Sequence, residues 1–226
     1  MKFTDACIRP YPLGDSSLGR MALECRELGY DSAIALGGDA LAREELGAHG
    51  IQVLKGYCIE EKSAKGVTAA CRRAPGDRII MVEAGEYAFN RAVISIPGIK
   101  ILRGLWRAPS NAVDHVLARF AAQRRVAWDI ELNPLVRTRG HARQRAIQRY
   151  RDILMLHRRL GVPLTISTGA ASVLEQRGVR DAMRLCALFG MGQEEVYRAL
   201  GTMGLLLRER RDVEVIGWAG DRPRSD

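Results

Sequence analysis

Two carboxylates and an amide alternate with apolar residues in the stretch VAWDIELNPL, residues 126–135. Asp129, Glu131 and Asn133 are predicted to share one face of a strand, because side chains alternate along a strand. The apolar residues around them indicate an interior strand, where a charge is costly unless it is paired, metal-bound or open to water. Carboxylate oxygens are preferred ligands of Mg²⁺ and Mn²⁺, so a metal-dependent phosphoesterase is one hypothesis. A polar lining without chemistry is the alternative.

Alternating strand-like and helix-like stretches must position these acids. The predicted strands fall at residues 3–8, 31–36, 51–59, 77–84, 99–102, 126–132 and 163–168. The predicted helices fall at 16–30, 111–125, 139–161, 179–190 and 193–210, with Asn111 as the N-cap of the second. This alternation predicts parallel β–α–β units. Seven strands in 226 residues predict an α/β fold, a reduced TIM-like (β/α) barrel, with a doubly wound open sheet as the alternative.

The predicted barrel accounts for most of the chain. No stretch has the composition of a linker, so residues 1–210 are predicted to form a single (β/α) barrel domain. Residues 211–226 are predicted to be a C-terminal extension, either an extra strand or partly disordered.

Polar residues at the carboxyl ends of barrel strands surround the mouth, where chemistry usually occurs. Those predicted here are Asp5, Cys7, Asp39, Glu60, Glu83, Glu131, Ser167 and Thr168. A Mg²⁺-dependent phosphoesterase would use Asp5, Glu83, Asp129 and Glu131. The four histidines, however, fall in or beside helical stretches, and no phosphate-binding glycine motif occurs. We therefore predict no catalytic residue and no metal ligand.

Positive charge is the strongest feature of the composition. The formal net charge is +9, and 30 of the 35 basic residues are arginine. Arginine suits bidentate contacts with phosphate, although a GC-rich genome could also favour arginine over lysine. Genome composition does not explain the excess of positive charge, whereas a polyanionic partner does.

One predicted helix concentrates this charge. Residues 137–159 carry eight arginines and a single acid, Asp152. A solvated face normally mixes charges of both signs, so this helix favours a nucleic-acid partner. Aromatic residues make up only 6% of the chain and form no cluster, so we expect recognition of backbone and shape rather than base stacking on a sheet.

The remaining composition predicts a cytoplasmic protein. Hydrophobic residues make up 47% of the chain, yet no run approaches the roughly 18 apolar residues of a membrane span. The five cysteines, an odd number without a CxxC pair, indicate a reducing compartment.

Two segments carry a resemblance to a known family. NAVDHVLARFAAQRRVAWDIELNPLVR (111–137) and PLTISTGAASVLEQRGVRDAMRLCALFGMGQEEVYRAL (163–200) resemble the two signatures of archaeal ribonuclease P protein component 3, the counterpart of the eukaryotic thirty-kilodalton subunit. The opening FTDACIRPYPLGDSSLGRMALECRELGYDSAIAL is similar as well. The resemblance spans nearly the whole chain and is weakest at residues 60–105 and after 210.

This resemblance implies a barrel related to the PHP metal-dependent phosphoesterases, but without their metal site. The PHP relatives carry His-x-His on the first strand, where this chain has Asp5-Ala6-Cys7. It further implies a protein subunit of ribonuclease P, which is non-catalytic alone and supports the RNA that removes the 5′ leader of precursor tRNA. Its implied partners are the RNase P RNA, protein component 2 and other holoenzyme proteins, with precursor tRNA contacted indirectly. No cofactor of its own is implied, since the Mg²⁺ of the holoenzyme would bind the RNA.

The resemblance also suggests RNA-contacting residues. Arg107 and His115 flank the first signature, and Arg180 opens the helix of the second. Arg9 and Arg137 join them on location and charge alone. His115 and Arg180 could instead have only a structural role, and Asp114 and Asp181 are expected to be helix-start acids. The family usually has arginine where Asn133 stands, which weakens the case for an RNA contact there.

Three functions therefore remain open from the sequence. The first is an RNA-supporting subunit, the second a free-standing Mg²⁺-dependent phosphoesterase of PHP type, and the third a general basic partner-binding module. Protein alone would cleave nothing under the first, and binding would show no preference for the cognate RNA under the third.

Overall fold

A computed structural model describes residues 2–37 and 50–217, with side chains up to Leu207. The described residues form seven strands, all parallel and in sequential order. These are β1 (Thr4–Ile8), β2 (Ser32–Ala35), β3 (Gln52–Ile59), β4 (Ile79–Glu83), β5 (Ile99–Arg103), β6 (Ala127–Glu131) and β7 (Leu164–Ser167). Each lies within a predicted strand or within one residue of it, because short apolar runs buried on both faces are typical of parallel sheets.

Helices connect the strands and cover the outside of the sheet. They are α1 (Leu18–Glu27), α2 (Ala64–Arg73), α3 (Tyr87–Ile94), α4 (His115–Arg124), α5 (Asn133–Arg137), α6 (Gly140–Leu160), α7 (Val179–Ala187) and α8 (Gln193–Gly217). A 3-10 turn, Val173–Glu175, lies between β7 and α7. Among these helices none is long and apolar enough to cross a membrane.

The sheet curves into a nearly closed barrel. Between β1 and β7 the described residues form one isolated parallel bridge, from Ile8 to Ala170, and the Arg9 amide donates to the Ala170 carbonyl at 2.7 Å. α8 packs against both of these strands. Its Met203 and Leu206 join the buried apolar cluster that includes Cys7. The predicted barrel is therefore confirmed, and the open sheet is excluded.

Two local predictions need correction. The helix expected to begin at Asn111 begins at His115, because Asp114 is the N-cap and its carboxylate accepts from the Leu117 amide at 2.7 Å. β6 ends at Glu131, so Asn133 lies in α5 and not on the strand face of the acids. Residues 211–217 continue α8, where the sequence had left an extra strand open, and residues 218–226 lie outside the described residues.

Candidate functional site

An arginine stands between two of the predicted mouth acids. Arg103 ends β5, while Glu83 and Glu131 end the neighbouring strands β4 and β6. Arg103 follows Ile101 by two residues, and Ile101 belongs to the apolar cluster in the barrel. Because alternate side chains share a face, the Arg103 guanidinium enters the same interior.

Arg103 is completely buried and contacts acids on both sides. Its Nη2 lies 3.1 Å from Glu131 Oε2, its Nε lies 3.4 Å from Glu83 Oε1, and its Nη1 lies 3.0 Å from Cys7 Sγ. Burial opposes the charge of Arg103, but the surrounding anionic groups, Glu131 among them, raise its pKa well above the ordinary value. The guanidinium therefore remains charged and supplies the cation that these acids require.

Glu131 is held as a carboxylate. Burial alone would raise its pKa, but the charge and hydrogen bond of Arg103 and the Gly104 amide together bring the pKa below the ordinary value. The Gly104 amide donates to Glu131 Oε1 at 2.8 Å. Gly104 has a φ of +70°, a conformation that favours glycine. The glycine at position 104 therefore allows the backbone conformation in which its amide donates to the Glu131 carboxylate.

The other two interior acids bind hydroxyl groups. Asp129 accepts from Thr165 Oγ1 at 2.9 Å and from Ser167 Oγ at 2.6 Å. Asp5 accepts from the Thr168 amide at 2.9 Å and from Thr168 Oγ1 at 2.6 Å. Burial raises the pKa of Asp129 to about 7 and that of Asp5 to about 6. Both acids are therefore easier to protonate than an exposed carboxyl group.

These residues do not fit a divalent metal centre of PHP type. The Arg103 guanidinium lies between Glu83 and Glu131, and a second cation there would meet its charge directly. In the described ranges, one group has the spacing of metal ligands, formed by Cys58, Glu60 and Glu83. Glu83 in that group already pairs with Arg103 and Arg107. The predicted mouth residue Asp39 and one of the four histidines, His49, lie outside the described residues.

Four of the five predicted RNA-contacting residues lie toward the carboxyl ends of the strands. Arg9 follows β1, Arg107 follows β5, His115 begins α4, and Arg137 ends the short helix after β6. Segments that follow a strand in a parallel barrel emerge at the same end. We call Arg9, Arg107, His115 and Arg137 the mouth surface. Arg180, in the first turn of α7, lies toward the opposite end of the barrel, because the neighbouring Val179 amide donates to the Leu28 carbonyl at 3.1 Å and Leu28 lies just before the amino end of β2.

The members of the mouth surface differ in their contacts. Arg107 pairs with Glu83, and its side chain is 51% exposed. Arg137 pairs with Glu175, which also accepts from the Ala171 amide at 2.9 Å. His115 is exposed.

Arg9 differs from the other three because it is partly buried at the opening of the barrel. It lines a pocket of about 330 Å³ together with Arg103. Its charge contributes to the lowered pKa of Glu131. Arg9 therefore connects the mouth surface to the buried ion pairs.

Similarity to known proteins identifies the family of the chain. It matches the model of the family described as RNase P subunit p30 over residues 2–213. The chain belongs to this family. It is 30% identical over 207 residues to Ribonuclease P protein component 3 of Methanosarcina barkeri, with 88% of this chain and 85% of that protein covered. It is 29% identical over 213 residues to the protein of the same name from Methanothermobacter thermautotrophicus, with 88% and 86% covered.

A solved structure agrees with the fold of this p30 family member. A chain in the cryo-EM structure of archaeal ribonuclease P with mature tRNA superposes with a TM-score of 0.77 at 20% identity. The match covers 99% of this chain and 98% of that chain. The resemblance inferred from the two signatures is confirmed, and membership of the family makes the chain a protein subunit of ribonuclease P.

The basic helix of this p30 family member is less available for RNA than its sequence suggests. Arg149 donates to the backbone carbonyls of Ala108, Pro109 and Ser110 at 3.2, 2.6 and 2.7 Å. Arg158 contacts both carboxylate oxygens of Glu195 at 2.7 Å. Part of the charge in α6 therefore joins neighbouring elements within the protein.

Arg103 and Trp106 are not among the site residues predicted from the sequence. An arginine two residues after a buried isoleucine, at the end of a strand, was the available signal for Arg103. The Trp106 ring lies 5.8 Å from the Arg107 guanidinium carbon, and only the tertiary structure brings α6 beside this pair.

Proposed function

We propose that this subunit binds the catalytic RNA of ribonuclease P through the mouth surface and stabilises it during removal of the 5′ leader of precursor tRNA. The observation that carries the proposal is the division of charge at this end of the barrel. The interior acids are engaged by Arg103 and by hydroxyl groups, whereas cationic side chains emerge around them. This arrangement suits contact with phosphate and not metal-assisted hydrolysis.

The partners follow from the same proposal. The chain acts with protein component 2 and the other holoenzyme proteins, contacts precursor tRNA indirectly and carries no cofactor of its own, since Mg²⁺ binds the RNA. The related assembly solved with mature tRNA supports partners of this kind. We place its action in the cytoplasm, in keeping with five free cysteines.

Reconstitution tests this proposal. The purified chain is combined with the cognate RNA and the partner proteins at low Mg²⁺, and precursor-tRNA cleavage is measured. We expect the chain to raise cleavage, and Arg107→Gln or Arg137→Gln to reduce the gain. Arg159→Gln is the matched control, because Arg159 is exposed near the end of α6 that lies away from the mouth. Equal activity of all three variants would contradict the proposal.

The phosphoesterase hypothesis has its own test. Glu131→Ala would leave the buried Arg103 with one fewer partner, so Glu131→Gln is the better probe. Under our proposal the isolated chain hydrolyses no phosphoester, and Glu131→Gln keeps the gain in the reconstituted enzyme if the variant folds. Hydrolysis by the isolated chain that Glu131→Gln abolishes would support the phosphoesterase instead.

A further inference from the structure

A groove beside the mouth surface joins an aromatic ring to cationic side chains. It lies between residues 106–110, which follow β5, and the side of α6 that carries Arg145, Gln148 and Arg149. Its volume is about 590 Å³, within the roughly 300–1,000 Å³ of sites that bind small ligands. A single nucleotide is a ligand of this class. We call it the Trp106 groove.

The wall of the Trp106 groove is fixed in place. The three hydrogen bonds from Arg149 to the carbonyls of residues 108–110 attach the loop to α6. Trp106 is partly buried and packs against the hydrophobic core. A rigid site loses little conformational entropy when a ligand binds, so this wall is preorganised.

The charges around the groove suit a phosphate. The Arg107 guanidinium carbon lies 5.8 Å from the centre of the Trp106 ring, and Glu83 anchors Arg107 Nη2. Arg145 is exposed on the opposite wall. Two cationic groups therefore face a site next to an aromatic ring, a combination that single-stranded nucleic acids bind through stacking and phosphate contacts.

The groove also offers groups that can recognise a base edge. Gln148 Nε2 donates to Asp152 Oδ1 at 3.1 Å, and both residues line the groove. This contact leaves the Gln148 amide oxygen and the second Asp152 oxygen able to accept from the amino group of a base. A duplex hides the faces of its bases, so the arrangement favours an unpaired nucleotide over helical RNA.

We propose that the Trp106 groove binds one unpaired nucleotide of the ribonuclease P RNA, with its base stacked on Trp106 and its phosphate between Arg107 and Arg145. The proposal rests on the RNA-binding function proposed above. It departs from the expectation of pure backbone recognition, because the aromatic ring lies in a loop and not on a sheet.

Tryptophan fluorescence of the full chain tests the stacking. The probes are a mixed-sequence single-stranded RNA octamer and the duplex that it forms with its complement. We expect the octamer to quench the fluorescence of the wild type more strongly than the duplex does. Trp106→Phe should remove most of this quenching while keeping affinity within a few-fold, because phenylalanine can also stack. Equal quenching of wild type and Trp106→Phe would overturn the proposal.

Binding assays test the charges. Arg145→Gln keeps the proposal open to refutation if Trp106→Ala fails to fold. Arg145→Gln should weaken octamer binding several-fold and reduce the slope of log affinity against log salt by about one. Trp106→Ala should weaken binding about tenfold with the slope unchanged. Arg159→Gln, which makes the same charge change on the same helix, should alter neither.

The holoenzyme separates this proposal from the broader one. If the wild-type chain raises precursor-tRNA cleavage and Trp106→Ala and Arg145→Gln, both folded, raise it equally, the groove proposal is wrong and the subunit function stands. If the wild type gives no gain, the subunit function fails. Protection of the groove by the partner proteins without RNA would assign it to a protein contact and would also overturn the nucleotide proposal.

Discussion

Arg103 Nη2 lies 3.1 Å from Glu131 Oε2 in the interior of the barrel, and the two residues come from adjacent parallel strands. The same guanidinium contacts Glu83 on the other neighbouring strand. The cation among these acids is therefore covalently part of the chain. The ion pair is therefore a structural element of the barrel, and its removal should affect stability first.

Arg103→Met tests this role. The substitution keeps an apolar stem but leaves Glu131 without its buried cation, so we expect a loss of about 3–5 kcal/mol in the free energy of unfolding. The double variant Arg103→Met/Glu131→Gln should recover part of that loss, because it removes the unpaired charge. Urea denaturation of the wild type, both single variants and the double variant measures the coupling. A fully stable Arg103→Met variant would show that the pair contributes little.

Gly104→Ala should be more damaging than an equivalent change elsewhere. A Cβ at Gly104 would lie 2.1 Å from Glu83 Oε2, and the φ of +70° strains any residue with a side chain. Gly140→Ala is the matched control, because Gly140 has a φ of +54° with nothing within 4 Å of the added carbon. We expect thermal or urea unfolding to show Gly104→Ala roughly 1–3 kcal/mol less stable than Gly140→Ala. Equal losses would mean that the carboxylate moves aside freely.

Asp5→Asn should change how stability depends on pH. Burial raises the pKa of Asp5 to about 6, so the folded chain keeps a proton that the unfolded chain releases near pH 4. The resulting stabilisation is complete below about pH 4 and is lost as the pH rises through 6. Asparagine preserves the hydrogen-bonding shape without titrating. Between pH 4.5 and 7.5 the wild type should lose roughly 1–3 kcal/mol relative to Asp5→Asn, and a constant difference across this range would contradict the assignment.

Arg149→Gln should loosen the loop of residues 108–110, which Arg149 holds against α6. Loss of the contacts to the carbonyls of residues 108–110 should accelerate amide hydrogen exchange in this loop and cost about 1–2 kcal/mol of stability. Arg145→Gln, one helical turn earlier, is the control, since the structure records no carbonyl contact for Arg145 within the part of the chain that it describes. Exchange that is equally slow in both variants would show that the loop is held by other contacts.

The sequence by itself determined the seven strands and the family, and it favoured a barrel over an open sheet. Seven short apolar runs separated by helical stretches are local patterns, and they predict parallel β–α–β units because parallel strands need crossover connections. The bridge between β1 and β7 that closes the barrel is seen only in the structure. The segments 111–137 and 163–200 carried the family resemblance without reference to any contact. The prediction that mouth acids would need a partner was also local, since an acid on an interior strand cannot remain uncompensated.

Only the tertiary structure decided which partners the mouth acids have. Arg103 meets Cys7 across 96 residues of sequence, and Gly104 meets Glu131 across 27. Such pairs depend on strand register and on how the barrel closes, neither of which is encoded in a single stretch. For the same reason the sequence could count the arginines of α6 but could not separate Arg149, held by the loop carbonyls of residues 108–110, from Arg145, which stays exposed beside Trp106. Periodicity along a chain determines which face of a strand or helix a side chain occupies. Its charge partner is determined only when folding brings elements that are distant in sequence together.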